Sequence, residues 1–147
     1  MMSDSPIVAT WKLLSFTMTT DDGQIIHPYG ENPSGYYFFA PDGHCVAILG
    51  RPDRPKLGTP DLAAGTAEQK AAAAQDFTAY AGRYEYLGEK LVIHVEISLF
   101  PDWVGGDQER EADLRGNRLV LSARTTRNGV PGKVRLMWER VGTSWER

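Results

Sequence analysis

The sequence predicts an all-β protein, an eight-stranded antiparallel up-and-down barrel with one α-helix between the third and fourth strands. Short segments in which apolar and polar residues alternate recur along the chain, and most are joined by tight turns rich in Gly, Asn or Asp. Only one segment has helix signals, so no βαβ rhythm is present. Strands that follow one another as neighbours favour a closed barrel, because closure removes the exposed edges of the sheet. The 147 residues are predicted to form a single domain over residues 1–147.

The first three predicted strands cover residues 7–20, 36–40 and 44–49. An Asp-Asp-Gly turn at 21–23 ends the first strand, and a Pro-Asp-Gly turn at 41–43 joins the other two into a hairpin. Both faces of this hairpin carry aromatic or aliphatic side chains. One face should line the barrel, and the other needs a cover.

The only predicted helix covers residues 66–82. Thr66 and Gln69 have the spacing of a capping box, the alanine run supplies helix propensity, and Gly82 can end the helix. Ala73, Phe77 and Tyr80 would then lie along one stripe that packs on the sheet or plugs one end of the barrel.

The remaining five strands are predicted at residues 83–87, 91–99, 107–115, 120–125 and 134–141, with a loop over 127–132. A turn at Gly88 pairs Tyr84 with Ile93 and Tyr86 with Leu91 on the apolar face. A Gly-Asn turn at 116–117 pairs Arg115 with Arg118 and sets the next register.

The strand over residues 107–115 supplies the strongest candidate for a site. Four acidic residues share one of its faces and should face water, so Gln108 and Arg110 face the interior, which is otherwise apolar. A buried guanidinium without a partner is costly. Arg110 therefore either holds an oxygen of a ligand or satisfies a carbonyl or carboxylate of the protein itself; both interpretations remain open.

His94 and Glu96 lie two residues apart on one face of the strand at 91–99, a spacing that can present a base and an orienting carboxylate. Alternation places the aliphatic set of this strand inside, which leaves His94 and Glu96 outside. They enter the interior only if both faces are covered, for example by a second subunit. Tyr84 and Tyr86 either donate to a bound oxygen or simply fill the barrel. Trp103 is either a loop anchor or part of a pocket rim.

Composition excludes several classes of function. A net charge of −3 with mixed signs provides no basic face for nucleic acid or an anionic membrane. No secretory or membrane-spanning apolar run occurs, so a soluble, cytoplasmic protein is expected. Cys45 is the only cysteine and is predicted to be a packed small residue. The three histidines fall on separate elements and no nucleotide-binding motif is present, so neither a metal nor a cofactor is expected.

Five segments together resemble the bacterial and fungal lipocalin-like domain family: P-Y-G-E-N-P-S-G-Y, R-P-D-R-P, A-Y-A-G-R-Y, H-V-E-I-S-L-F-P-D-W-V-G and R-L-M-W-E-R-V. The similarity runs from about Thr10 to Val141. Trp11 and Arg140 match the tryptophan and arginine that close one barrel end in lipocalins proper, although Ala9 stands where those proteins have glycine. The resemblance implies a lipocalin- or calycin-like calyx for a small, largely apolar molecule. It leaves catalysis open, because related barrels include cyclases and isomerases.

The sequence thus predicts a barrel that binds one small hydrophobic or amphipathic molecule. The alternative is a cofactor-independent isomerase or cyclase on a polyketide-like or other secondary metabolite, with Arg110 stabilising negative charge and His94, assisted by Glu96, moving a proton. A third hypothesis is a filled barrel whose outer apolar faces form a homodimer. The predicted ligand-binding residues are Arg110, Gln108, Tyr84, Tyr86, Tyr36, Phe38 and Trp103; Trp11 and Arg140 are predicted to close the barrel.

Overall fold

The computed structural model describes residues 5–142 and contains nine β-strands, one α-helix and one 3-10 turn in that range. The strands are β1 (Ala9–Thr20), β2 (Ile25–Ile26), β3 (Ser34–Phe39), β4 (His44–Gly50), β5 (Phe77–Tyr86), β6 (Lys90–Ser98), β7 (Asp107–Arg115), β8 (Arg118–Arg127) and β9 (Val130–Arg140). The helix α1 covers Ala67–Gln75, and the 3-10 turn covers Pro101–Trp103.

The sheet closes into an antiparallel barrel of eight strands. Each strand from β3 to β9 pairs with the next, and β1 joins the two ends by pairing with β3 and with β9. The predicted closed barrel is therefore confirmed. The two-residue β2 is an addition that the sequence analysis lacks, paired only with the end of β1. As a result α1 lies after β4, and its predicted place between the third and fourth strands is corrected.

A β-bulge in β1 changes which residues of this strand face inward. The pairing with β9 shifts between Leu13 and Ser15, so an extra residue interrupts the alternation. Trp11 and Leu13 are buried before the bulge, and Phe16 and Met18 are buried after it, whereas strict alternation from Trp11 would continue through Ser15 and Thr17. The bulge therefore brings the Phe16 ring to the interior.

The predicted helix is too long. Its start is confirmed, because the Thr66 hydroxyl accepts from Gln69 N at 3.1 Å and the Gln69 side chain accepts from Thr66 N at 2.9 Å. It ends at Gln75, and residues 77–86 form β5, which pairs with all of β4 from His44 to Gly50. Within residues 5–142, no helix combines the length and apolar character needed to span a membrane.

The register of the second half follows the predicted turns. Arg115 pairs with Arg118, and Tyr84 pairs with Ile93, as predicted. The predicted loop over 127–132 is instead a two-residue turn, because Asn128 and Gly129 both adopt left-handed backbone angles, with φ of 51° and 78°. The hairpin of β8 and β9 is longer as a result.

One end of the barrel is closed by Trp11 and Arg140. The Arg140 guanidinium lies 4.5 Å from the centre of the Trp11 ring, and the Trp11 indole donates to Ile7 O at 2.9 Å. Arg140 also donates to Pro6 O at 2.8 Å, so the chain before β1 is held across this end. Any opening into the barrel must lie at the other end.

The outer face of β3 to β6 is apolar. Tyr36 pairs with Ile48 and Phe38 with Val46, and all four side chains are at least 36% exposed. Ile97 on β6 is 68% exposed and extends the same face. The predicted homodimer would use this surface.

Candidate functional site

The barrel interior contains a cavity of about 600 Å³. Register along the hairpin of β8 and β9 shows the direction in which the cavity runs, because Trp138, Leu136 and Val134 line it in turn, toward the turn at residues 128–129. From Trp138 to that turn is roughly 30 Å along the strand at ~3.3 Å per residue. The other lining residues are Phe16, Tyr29, Tyr37, Leu49, Ala74, Gln75, Phe77, Thr78, Ala79, Tyr80, Ser98, Leu99, Phe100, Trp103, Gln108, Arg110, Leu121, Ala123, Arg124, Thr125, Thr126, Arg127 and Asn128.

The mouth of the cavity lies between the turn after β8 and the end of α1. Asp76, directly after the helix, binds Arg51 at 3.0 Å and Arg127 at 3.5 Å. Arg54 donates to Ala73 O and lies over the Phe77 ring, 4.4 Å from its centre. These contacts hold the helix over the mouth by polar groups, since α1 has no buried residue.

The inner end of the cavity, defined here as Tyr37, Tyr80 and Trp138, is aromatic and carries polar atoms. The Tyr37 and Tyr80 hydroxyl oxygens lie 2.9 Å apart, and the Tyr37 ring meets the Trp138 ring edge-on at 5.4 Å. Burial raises the pKa of both phenols, and the Arg110 charge lowers it. Both hydroxyls are therefore protonated at neutral pH. Trp138 Nε1 is buried and has no hydrogen-bond partner within residues 5–142.

Arg110 and Gln108 both line the cavity, on the face of β7 that alternation predicts. The Arg110 guanidinium donates to Gln108 Oε1 at 3.2 Å and to Glu109 O at 3.0 Å. It makes no ion pair with any carboxylate of residues 5–142. No carboxylate of residues 5–142 therefore neutralises the Arg110 charge, and this charge acts on the Tyr37 and Tyr80 hydroxyls by opposing the rise in their pKa.

Of the other predicted ligand-binding residues, only Trp103 lines the cavity. Its ring lies edge-on to Tyr80 at 5.6 Å. Tyr84 packs in the core, but its hydroxyl donates to Ala40 O at 2.7 Å and does not reach the cavity; Tyr86 also packs against the core outside the lining. Tyr36 and Phe38 are 42% and 40% exposed on the outer face, which corrects their predicted place in the pocket wall.

His94 and Glu96 lie on the outer surface of the barrel, so the predicted catalytic arrangement with Arg110 is not assembled. His94 Nε2 is 2.6 Å from Glu85 and Nδ1 is 2.7 Å from Asp107. Hydrogen bonds that the His94 ring donates to Glu85, and next to Asp107, raise the pKa of His94. Glu96 pairs with Arg83 at 3.3 Å. These groups form a surface ion-pair network across β5, β6 and β7.

The three residues of the inner end are not among the predicted site residues. Tyr37 lies on the opposite face of its hairpin from Tyr36 and Phe38, and the predicted helix over 66–82 includes Tyr80. Trp138 falls within the last predicted strand, at 134–141. The signal for Tyr80 was the alternation of Thr78, Tyr80 and Gly82, which continues the pattern of the strand that follows.

All the charged residues that line the cavity are arginines. The lining contains Arg110, Arg124 and Arg127, but no Asp, Glu or His, in a chain whose net charge is −3. Arg124 and Arg127 are paired with Asp21 and Asp76 outside the lining. No cluster of His, Cys, Asp and Glu suited to a metal ion occurs within the described part of the chain.

These features define a class: an up-and-down β-barrel closed at one end, with a cavity open at the other. The chain belongs to the Lipocalin-like domain family, which matches residues 8–141. The family resemblance of the sequence is thereby confirmed.

Comparison with individual proteins adds one relative in sequence and two in structure. The chain is 32% identical over 80 residues to the 4'-hydroxy-3'-methoxypropiophenone carrier protein of Aspergillus oryzae, an alignment that covers 49% of this chain and 72% of the relative. A lipocalin-like protein from Bacteroides uniformis has the same fold, with a TM-score of 0.50 at 16% identity, covering 93% of this chain and 100% of that protein. An uncharacterized protein from Bacteroides eggerthii gives a TM-score of 0.43 at 12% identity, covering 91% and 98%.

Proposed function

We propose that this protein binds one small hydrophobic or amphipathic molecule inside the barrel and anchors an oxygen of that molecule with Arg110. The observation that carries the proposal is the position of Arg110: a guanidinium without a carboxylate partner among residues 5–142, on the wall of a mostly apolar cavity. A cavity of about 600 Å³ falls in the range of roughly 300–1,000 Å³ that is common for small-molecule sites.

The physical argument rests on the cost of a partly desolvated charge. An arginine in such a place is stabilised when a carboxylate, enolate or carbonyl oxygen accepts its hydrogen bonds, and a charge-assisted bond of this kind is about twice as strong as a neutral one. Gln108 Oε1 at 3.2 Å and Glu109 O at 3.0 Å are two neutral acceptors, and the remaining N–H groups of the guanidinium can bind a ligand.

The relative from Aspergillus oryzae supports a carrier rather than a catalyst. By its name it carries an aromatic ketone that also has phenol and ether oxygens. Such a molecule combines a flat apolar ring with oxygen acceptors, which is the chemistry that the aromatic walls and Arg110 favour. We extend to this chain only the class, a small aromatic molecule that carries oxygen.

An isomerase or cyclase would need a base in the cavity. The cavity-lining residues include no His, Asp or Glu, and burial raises the pKa of Tyr37 and Tyr80, which makes them donors at neutral pH. His94 lies on the outer surface beside Glu85. These observations favour binding over acid–base catalysis by His94.

The test introduces a large side chain at the cavity wall and measures whether the ligand still binds. Native mass spectrometry of the protein with a mixture of small aromatic ketones, phenols and acids, including 4'-hydroxy-3'-methoxypropiophenone, should show a one-to-one adduct. Ala123→Phe places a ring in the cavity and should remove the adduct. Ala81→Phe is the matched control, because Ala81 pairs with the outward residues Val46 and Ile97, and it should leave the adduct unchanged. No adduct with any member, or an adduct that survives in Ala123→Phe, would contradict the proposal.

A further inference from the structure

The polar groups at the inner end of the cavity and beside it include several hydrogen-bond donors. Arg110 donates only, and so does the indole of Trp138. The one amide oxygen close by, Gln108 Oε1, already accepts from Arg110 at 3.2 Å. No carboxylate or imidazole lines the cavity.

The two tyrosines add one more donor that can turn toward a ligand. Their hydroxyls, 2.9 Å apart, hold two protons, and the bond between them uses one. Both tyrosines line the cavity, and Tyr80, 8% exposed against 1% for Tyr37, is the more accessible side chain of the two. Tyr37 can donate to Tyr80 while Tyr80 donates into the cavity, and the burial that raises both pKa values keeps both protons in place.

Cys45 provides a second neighbour for Tyr37 but not a competing strong acceptor. The thiol is buried, and burial raises its pKa to about 11, so it remains an S–H group. Neutral sulfur is a weak acceptor. A ligand oxygen therefore competes well for the Tyr80 proton.

The indole N–H of Trp138 also needs a hydrogen-bond acceptor. Its Nε1 is the one buried side-chain polar atom in residues 5–142 that lacks a partner, and leaving such a donor unpaired destabilises the protein. By contrast the Trp11 indole, at the closed end of the barrel, donates to Ile7 O. The unpaired donor is thus the tryptophan that lines the cavity.

We propose that the inner end of the cavity is a site for an acceptor-only oxygen, the carbonyl of an aromatic ketone or an equivalent anionic oxygen, received by Tyr80, Trp138 and Arg110. An ammonium is disfavoured there, because it can only donate and has the same sign of charge as Arg110. An alcohol is disfavoured less, because its oxygen can accept while its own proton finds no carboxylate or imidazole in the lining. Tyr80 is thereby a residue that distinguishes a carbonyl from a hydrocarbon of the same shape. This inference rests on the proposed binding function and goes beyond it by naming the oxygen and its receptor.

The test compares four ligands of the same shape by isothermal titration: propiophenone, the secondary alcohol formed by reducing its carbonyl, propylbenzene, and the corresponding primary amine. The ketone should bind about five- to thirtyfold more tightly than the hydrocarbon, the gain expected from one or two net hydrogen bonds; the alcohol should fall between them, and the ammonium should bind most weakly. Tyr80→Phe should lower the preference for ketone over hydrocarbon about fivefold, the share of one net hydrogen bond, while leaving hydrocarbon affinity unchanged.

Tyr84→Phe is the matched control, because it removes a hydroxyl bonded to Ala40 O, away from the cavity, and should keep the preference. A second readout needs no variant: the carbonyl stretching frequency of bound propiophenone should fall below its value in an apolar solvent. Equal affinities for ketone and hydrocarbon, or an unshifted carbonyl band, would overturn the inference, together with the Arg110 anchor for a ketone, and would leave binding of a small molecule inside the barrel standing. Failure of all four ligands to bind would overturn both.

Discussion

Replacing Arg110 by methionine should weaken ligand binding and at the same time stabilise the folded protein. Methionine keeps most of the length and the apolar stem of arginine but removes the charge. Hydrogen bonds to a charged group contribute about 1.5–3 kcal/mol. Because Arg110 is only partly buried, we take the lower end of that range, which corresponds to a loss of at least about tenfold in affinity for an oxygen-bearing ligand.

The stability change should have the opposite sign. In the protein without ligand the Arg110 guanidinium has only Gln108 and a backbone carbonyl as acceptors. Replacement of an unpaired, partly desolvated cation by an apolar group should stabilise the fold by about 1 kcal/mol. For a protein of this size, that raises the melting temperature by roughly 2–4 °C.

Two assays and one control decide this prediction. Titration calorimetry with 4'-hydroxy-3'-methoxypropiophenone measures the affinity, and scanning calorimetry without ligand measures the melting temperature. Arg115→Met is the matched control, because Arg115 lies on the same strand, is exposed and pairs with Asp113 at 2.9 Å. It should leave affinity unchanged. Unaltered affinity in Arg110→Met would refute the assignment of Arg110 as the anchor.

Further predictions concern three other positions. His94 has a raised pKa in the folded state because of Glu85 and Asp107, so its stabilising contribution is fully present below about pH 6.5 and is lost as pH rises through the folded pKa; His94→Gln should flatten the decline in melting temperature between about pH 6 and pH 8, and an unchanged slope would contradict this. Gly82→Ala would place a Cβ 2.0 Å from His94 O and should destabilise by at least ~3 kcal/mol in urea unfolding, whereas a change below ~1 kcal/mol would show that the strands can separate there. The buried Cys45 thiol, with a pKa of about 11, should react with a disulfide reagent at about pH 8 at least ~100-fold more slowly than a free thiol until the protein is unfolded, and fast labelling of the native protein would contradict its burial.

Alternation predicted the inside of the barrel wherever one face was clearly polar. The carboxylates on β7 make its outer face unambiguous, so the inward direction of Arg110 and the pairing of Ala112 with Leu121 followed from the sequence. Once a turn sets the register, every pair along the hairpin is determined. This is why the sequence pointed to Arg110.

The same pattern could not orient the hairpin of β3 and β4. Both of its faces are apolar, and alternation separates Tyr36 and Phe38 from Tyr37 and Phe39 without saying which pair is inside. Barrel closure decides which pair is inside. Tyr37 pairs with Trp11, and Trp11 faces inward because it packs against Arg140 at the closed end of the barrel. That information comes from a strand far away in the sequence.

The start of β5 was missed because local propensity and tertiary pairing conflict there. The alanine run favours a helix, and Phe77 and Tyr80 fit a helical stripe. In the fold, Gly50 and Leu49 on β4 pair with Phe77 and Thr78, and the backbone hydrogen bonds of a closing barrel outweigh a helix that buries nothing. Only that pairing places Tyr80 on a strand, where its hydroxyl lies 2.9 Å from the Tyr37 hydroxyl.

The central claim is that an oxygen-bearing aromatic molecule enters the cavity and reaches its inner end, and the indole signals of Trp138 and Trp11 test it most directly. In a two-dimensional nuclear magnetic resonance spectrum of isotope-labelled protein, addition of 4'-hydroxy-3'-methoxypropiophenone should move the Trp138 indole proton downfield, because its unpaired N–H gains an acceptor. The Trp11 indole, already bonded to Ile7 O at the closed end, should stay in place. A Trp138 signal that does not move at ligand saturation, with shifts confined to the outer face around Tyr36 and Ile97, would contradict binding inside the barrel.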